Sequence, residues 1–234
     1  MPEARPDQFV RYEYPEYLDA SRLAVSKILN TEVDNIVFVQ NATMGVNTVL
    51  RSLRFEPGDR IVCFNFIYGS CAKTVQYIGE TTPAKGVEIR IGFPCEEEEI
   101  VRVFRETILN SGGGLFDKDG QVDAQRKPGE GRVRVAIFDT IVSLPGVRLP
   151  FEQLVKVCKE LGVMSLVDAA HGIGHIPLDL NSLDPDFFVS NCHKYDSQLT
   201  FEYECPLTIL ILTDGSLLPV GVPHSMFPSG TSTS

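Results

Sequence analysis

Seven short apolar runs, spaced by amphipathic stretches, are what most constrain the fold of this chain. The runs are Asn35–Gln40, Asp59–Phe64, Val87–Phe93, Arg132–Phe138, Val163–Val167, Asp186–Ser190 and Leu207–Thr213. They are rich in Val, Ile and Phe, and apolar throughout more than alternating, as strands covered on both faces should be. Between them, Pro15–Leu29, Thr43–Arg54, Ser70–Gly79, Glu96–Leu109 and Phe151–Leu161 carry helical spacing. Phe55-Glu56-Pro57-Gly58 stops the second of these, while Pro150 precedes the fifth and Gly162 ends it. Strands alternating with helices predict a largely parallel sheet of βαβ units.

A chain of 234 residues can bury a sizeable core, and residues 1–214 read as one domain. Ser111 to Gly131 has few large apolar residues and reads as an exposed inserted loop; 215–234, rich in Pro, Gly, Ser and Thr, reads as a flexible tail. The formal net charge of -10 makes nucleic acid and anionic membrane poor partners, because the phosphate interaction would be repulsive. No apolar run reaches the ~18 residues of a membrane span, and Met1–Tyr17 does not read as a signal peptide. None of the six cysteines pairs as C-x-x-C, so they read as reduced thiols of a cytoplasmic protein, neither a disulfide framework nor a zinc site.

In open α/β sheets ligands sit at the carboxyl ends of strands. After the first run comes Asn41-Ala42-Thr43-Met44-Gly45, where a helix should begin. Its N–H groups and the Thr43 hydroxyl suit a phosphate, although an ordinary Asn or Thr cap reads the same way. After the fifth run comes Asp168-Ala169-Ala170-His171-Gly172-Ile173-Gly174. A carboxylate at a buried strand end is costly unless a cation or strong donor pairs with it, though a loop-capping Asp is the plainer reading. His171 and His175 lie four apart, but Gly172 and Gly174 disfavour a helix and no further ligands cluster nearby, so no metal is expected. After the sixth run comes Ser190-Asn191-Cys192-His193-Lys194. A strand-end lysine suits carbonyl attack if it is desolvated, and is otherwise a solvated residue beyond the sheet. Together, an anion site, a strand-end Asp and a strand-end Lys on one edge describe a pyridoxal phosphate pocket.

On these residues the chain resembles the class V aminotransferase superfamily of fold-type-I pyridoxal phosphate enzymes. The resemblance is carried by Asn41–Asn47, Asp168–Gly174, Ile176–Leu180 and Asn191–Lys194. Arg11–Pro15 and Ile67–Gly69 make it most similar, within that group, to cysteine-desulfhydrase-like and hercynylcysteine-sulfoxide-lyase-like proteins. The resemblance implies an α/β three-layer sandwich with a mostly parallel seven-stranded sheet, Leu207–Thr213 supplying an antiparallel strand. It further implies Lys194 as Schiff-base lysine and proton shuttle, Asp168 on the pyridine nitrogen, and His171 or Ser143 on the ring hydroxyl. Tyr68 would stack on the ring. Thr43, with backbone from Ala42 and Met44, would hold the phosphate, helped by His193 and Asn191.

The implied activity is C–S cleavage of a sulfur-containing amino acid by β-elimination, in a homodimer. Epimerisation or transamination would use the same carbanion. The resemblance also leaves a family N-terminal segment and small C-terminal domain without counterpart here, which opens the reading of a paralogue lacking activity.

Overall fold

The computed structural model describes residues 4–115, 130–194 and 208–212. A helical turn at Pro6–Gln8 and a widened turn at Phe9–Glu13 lead into α1, Tyr14–Leu29. The widening has a local cause. Pro15 has no N–H, and its ring would crowd the carbonyl four residues back, so the Tyr14 N–H bonds the Phe9 carbonyl instead. Then follow β1 (Ile36–Val39), α2 (Ala42–Ser52), β2 (Arg60–Phe64), α3 (Gly69–Thr81), β3 (Lys85–Ile89) and α4 (Glu97–Asn110). After the loop come β4 (Val133–Asp139), α5 (Phe151–Leu161), β5 (Met164–Ala169), a single turn α6 (Leu180–Leu183), β6 (Phe187–Asn191) and β7 (Thr208–Leu212). Asn30 and Gly162, both left-handed, end α1 and α5.

The sheet order is β1-β7-β6-β5-β4-β2-β3. Only β7 runs against its neighbours, so all other carboxyl ends point to one edge. The seven-stranded, mostly parallel sheet is therefore the one expected from the sequence. The third strand is displaced, covering Lys85–Ile89 instead of Val87–Phe93. Its register explains this: Arg60 faces Lys85 and Phe64 faces Ile89, so the apolar residues beyond Ile89 have no strand to pair with. Of the 111–131 loop only the stems are described. They meet where the Val133 N–H bonds the Gly113 carbonyl at 2.8 Å. Residues 116–129 and the tail expected at 215–234 lie outside the described residues, so the domain extent stays an expectation.

Side chains alternate between two helical layers. Val62, Phe64, Ala136, Phe138, Val167 and Phe188 pack under α1, α4 and α5. Ile61, Cys63, Val135, Ile137, Leu166 and Val189 pack under α2 and α3. Asp139 follows Ile137 by two positions and Asp168 follows Leu166 by two. Both acids therefore belong to the α2–α3 face, at the carboxyl edge.

Candidate cofactor site

The site is built from the ends of β1, β4, β5 and β6. At β1, Asn41 caps α2, its Oδ1 accepting the Met44 N–H at 2.9 Å while its carbonyl accepts the Gly45 N–H. The cap thus leaves the N–H groups of Ala42 and Thr43, at the positive end of the helix, to other partners. Gly45 lets α2 lie close on the sheet: a Cβ there would stand 2.8 Å from Cγ1 of Val189 in β6. Ala42 is buried, Thr43 half-buried and Met44 exposed.

At β5, Asp168 is 3% exposed. Its Oδ1 accepts the Ala170 N–H at 3.0 Å, and its Oδ2 accepts the Cys71 thiol at 3.5 Å from the first turn of α3. Burial raises its pKa; the Ala170 and Cys71 hydrogen bonds and the Lys194 charge pull the other way. Cys71 is raised well above a free thiol by burial and then by Asp168, so it stays an S–H donor. Three residues before it, Tyr68 precedes α3 and is 49% exposed.

The loop after β4 folds back as a small hairpin, bridged at Ile141 and Arg148, and carries Ser143. Ser143 Oγ lies 3.2 Å from His171 Nε2, and Lys194 Nζ lies 3.4 Å from the same nitrogen. Burial, then the Lys194 and His175 charges, lower the His171 pKa. Its imidazole is therefore neutral at neutral pH. A neutral imidazole carries one N–H donor and one acceptor nitrogen, so Nε2 can meet Ser143 and Lys194 in either role according to the tautomer. Gly172 seats this loop, since a Cβ there would come within 2.9 Å of Ala169 Cβ and 3.1 Å of Thr140 Oγ1.

Lys194 ends a short turn, Cys192–Lys194, directly after β6 and is exposed. Asn191 is buried, and its Oδ1 accepts the Thr208 hydroxyl of β7 at 2.7 Å. That oxygen is committed to the sheet, so any part of Asn191 in phosphate binding falls to its amide nitrogen. The His193 side chain lies outside those described.

The structure thus brings Ser143, Asp168, His171 and Lys194 to one edge, with Tyr68 and the start of α2 on the same edge. The sequence reading missed Cys71 and two further groups at the end of β4. Asp139 Oδ2 and Thr140 Oγ1 are buried with no hydrogen-bond partner among the described residues. Burial and then the neighbouring Asp168 carboxylate push Asp139 up to about 8. The position of Asp139, directly after the apolar run Arg132–Phe138, was the available signal; nothing local marked Cys71.

Among the described residues, no three His, Cys, Asp or Glu side chains converge on a metal position, and no helix is long and apolar enough to cross a membrane. The donor set fits pyridoxal phosphate instead. A buried carboxylate suits a ring N–H, an amine stands at the mouth beside an imidazole and a hydroxyl, and a helix N-terminus suits a phosphate.

Comparison with known proteins agrees. The class-V aminotransferase profile matches residues 11–92 and 116–197. The chain is 36% identical over 193 residues to an L-cysteine desulfhydrase-like protein of Epichloe uncinata, covering 82% of this chain and 39% of that protein. It is 31% identical over 193 residues to the hercynylcysteine sulfoxide lyase of Schizosaccharomyces pombe, covering 82% and 44% respectively. An L-cysteine desulfhydrase of Arabidopsis thaliana is 34% identical over 201 residues, with 82% and 41% covered. The chain thus spans about two fifths of the length of these curated relatives. Among solved structures, a cystine C–S lyase in complex with its product cysteine persulfide superposes with TM-score 0.70 at 20% identity, over 89% of this chain and 49% of that one. At that identity the likeness is one of fold. The family match indicates pyridoxal phosphate as the cofactor. With its sheet, its strand-end Asp168 and Lys194, and a profile match over more than half its length, the chain belongs to the class-V aminotransferase family.

Proposed function

We propose that this chain is the cofactor-binding part of a pyridoxal phosphate-dependent C–S lyase that cleaves a cysteine-type amino acid by β-elimination. The observation that carries the reading is the placement of Lys194 Nζ, His171 Nε2 and Ser143 Oγ in one chain of contacts beside buried Asp168. The relatives named for cysteine desulfhydrase and sulfoxide lyase activity support the substrate class.

Bound pyridoxal phosphate supplies an electron sink that acidifies the substrate α-carbon. The residues that would hold it are Lys194 through its amine, Asp168 at the ring nitrogen, His171 and Ser143 at the ring hydroxyl, and Tyr68 over the ring face. The start of α2, with Thr43, would take the phosphate. Lys194 Nζ would take the α-proton, and a neutral amine is needed for that. Neutral His171, with Nε2 3.4 Å from Lys194 Nζ, would orient the amine. With one water, β-elimination would balance cysteine to pyruvate, ammonia and hydrogen sulfide.

A homodimer goes with this reading. What supports it is apolar side chains left exposed at the start of the chain, Val10 at 61% and Tyr12 at 67%, followed by Tyr14 and Tyr17. Sedimentation would test it, with a monomer at micromolar concentration counting against it.

The functional test is spectroscopic and chemical. Pyridoxal phosphate added to the purified chain should give a visible band that borohydride fixes on wild type but not on Lys194→Ala. Cysteine should then yield pyruvate and sulfide. Inverted or transaminated product without pyruvate would replace the lyase with an epimerase or aminotransferase. A folded chain that gives no band would end the enzyme reading.

A further inference from the structure

Asp139 is the buried acid at this edge that the proposed chemistry leaves unused. It ends β4 in direct register with Asp168 of β5 and is 4% exposed. Register partners on parallel strands project to the same face, so the two carboxyl groups are neighbours under α3. Their surroundings differ. Both Asp168 oxygens have donors, in the Ala170 N–H and the Cys71 thiol. The Asp139 carboxyl accepts its own backbone N–H, but its Oδ2 has no hydrogen-bond partner among the described residues. Among the described residues, the other titratable groups on this face include Cys71 from α3, Cys63 from β2 and, in register with Cys63, Glu88 from β3; both thiols are held above their ordinary range. Lys194, from beyond β6, acts on Asp168.

A carboxylate oxygen buried without a donor is costly, and a second carboxylate at the adjacent register position adds to the cost. A proton on one of the two removes both penalties, and the acid with an oxygen left without a donor is the one to carry it. We propose that Asp139 is held as the neutral carboxylic acid and acts as a positioning residue, so that the Asp139–Asp168 pair presents a single negative charge, matched to one cationic N–H donor. The match to a ring N–H rests on the function proposed above; the protonation of Asp139 does not.

The direction of titration agrees, since burial and the Asp168 charge raise Asp139 to about 8, and the proton is kept through neutral pH. The folded chain then binds a proton that the unfolded chain has released. This contribution to stability is present below the ordinary carboxylate range and is lost as pH rises toward about 8.

Infrared spectroscopy of the full chain without cofactor tests the proposal, so its outcome does not depend on the lyase reading. At neutral pH the wild type should show the carbonyl stretch of a protonated carboxyl that shifts on carbon-13 labelling of aspartate. Asp139→Asn should lack it. Asp168→Asn should keep it with a lower midpoint, because the neighbouring charge is gone. No such band in the wild type would overturn the proposal. So would a band that survives Asp139→Asn and vanishes in Asp168→Asn, which would put the proton on Asp168. Should Asp139→Asn fail to fold, the wild type and Asp168→Asn still decide. The positioning role is read from cofactor affinity on either side of the Asp139 midpoint. Wild type should change by about threefold or more relative to Asp139→Asn; parallel pH profiles would refute positioning. Absence of any cofactor band would count against the lyase reading and leave the infrared result standing.

Discussion

The two faces of the same central strands are built to different rules. Under α1, α4 and α5 the strands present Phe64, Phe138 and Phe188 to Phe104 and Phe151, all at most 1% exposed. Phe104 stacks on Phe64 at 5.8 Å and meets Phe138 edge-on at 5.6 Å. Under α2 and α3 the same strands present Ile, Val and Leu, and then, at the carboxyl edge, Asp139 and Asp168 against Cys71. One face is a packed aromatic wedge that fixes the sheet. The other gives up apolar contact at its carboxyl edge for buried polar groups, Asp139, Asp168 and Cys71. On the function proposed above, the cofactor site would sit on one side of the sheet and the aromatic core on the other, and substitutions on the two sides should separate their effects.

The largest expected effect is on the site side. Lys194→Ala should lower pyruvate formation from cysteine by about a thousandfold or more, the scale of losing a positioned acid–base group. Its melting temperature should stay near wild type because Lys194 is exposed. Steady-state assays beside a thermal melt check both halves. A large loss of melting temperature would mean that the two sides are not separable. The mirror-image variant is Phe104→Ala, expected to cost about 3–5 kcal/mol of unfolding free energy by leaving a cavity between rings. Denaturant titration measures that. The protein that remains folded should still form the borohydride-fixable band with pyridoxal phosphate.

Gly45→Ala probes the junction of helix and site. The added methyl would press on the stiff Val189 side chain at 2.8 Å, an overpacking cost of about 1–3 kcal/mol, against about 1 kcal/mol gained in helix propensity. A net loss of about 1 kcal/mol is expected, together with weaker cofactor binding, because the start of α2 is pushed off the sheet. Unchanged affinity would show that α2 is not where the phosphate docks.

How much of this was legible in the sequence follows from where each signal lives. The strands were readable because burial on both faces makes them continuous apolar runs. The edge strand β3 was misplaced because Lys85, Gly86 and Glu88 dilute its pattern, while Ile91 and Phe93 extend the run past the end of its partner. Asp168 stood out because it follows an apolar run immediately, and Lys194 because it comes within four residues of the end of the next one. Asp139 occupies an equivalent place and could have been found by the same rule. Cys71 could not. Its contact with Asp168 spans 97 positions and depends on the roll of α3 against the sheet. The commitment of Asn191 to Thr208 likewise needs β7 to be threaded between β1 and β6.

The smallest expected effect separates the faces by pH instead of by magnitude. His171 is held below its ordinary pKa by burial and by the Lys194 and His175 charges. Just below the model-peptide value of about 6.5 the unfolded chain therefore binds more protons than the folded one, and stability rises with pH through that window. Gln in place of His171 keeps a hydrogen-bonding amide but cannot titrate, so His171→Gln should flatten this rise by a small amount. Thermal melts across mildly acidic pH measure the tilt. Phe104→Ala, with no titrating group, should lower the whole curve without tilting it. If His171→Gln shifted the curve in parallel as well, the imidazole would titrate alike in folded and unfolded chains. The contact between Lys194 Nζ and His171 Nε2 would then not be felt by the proton.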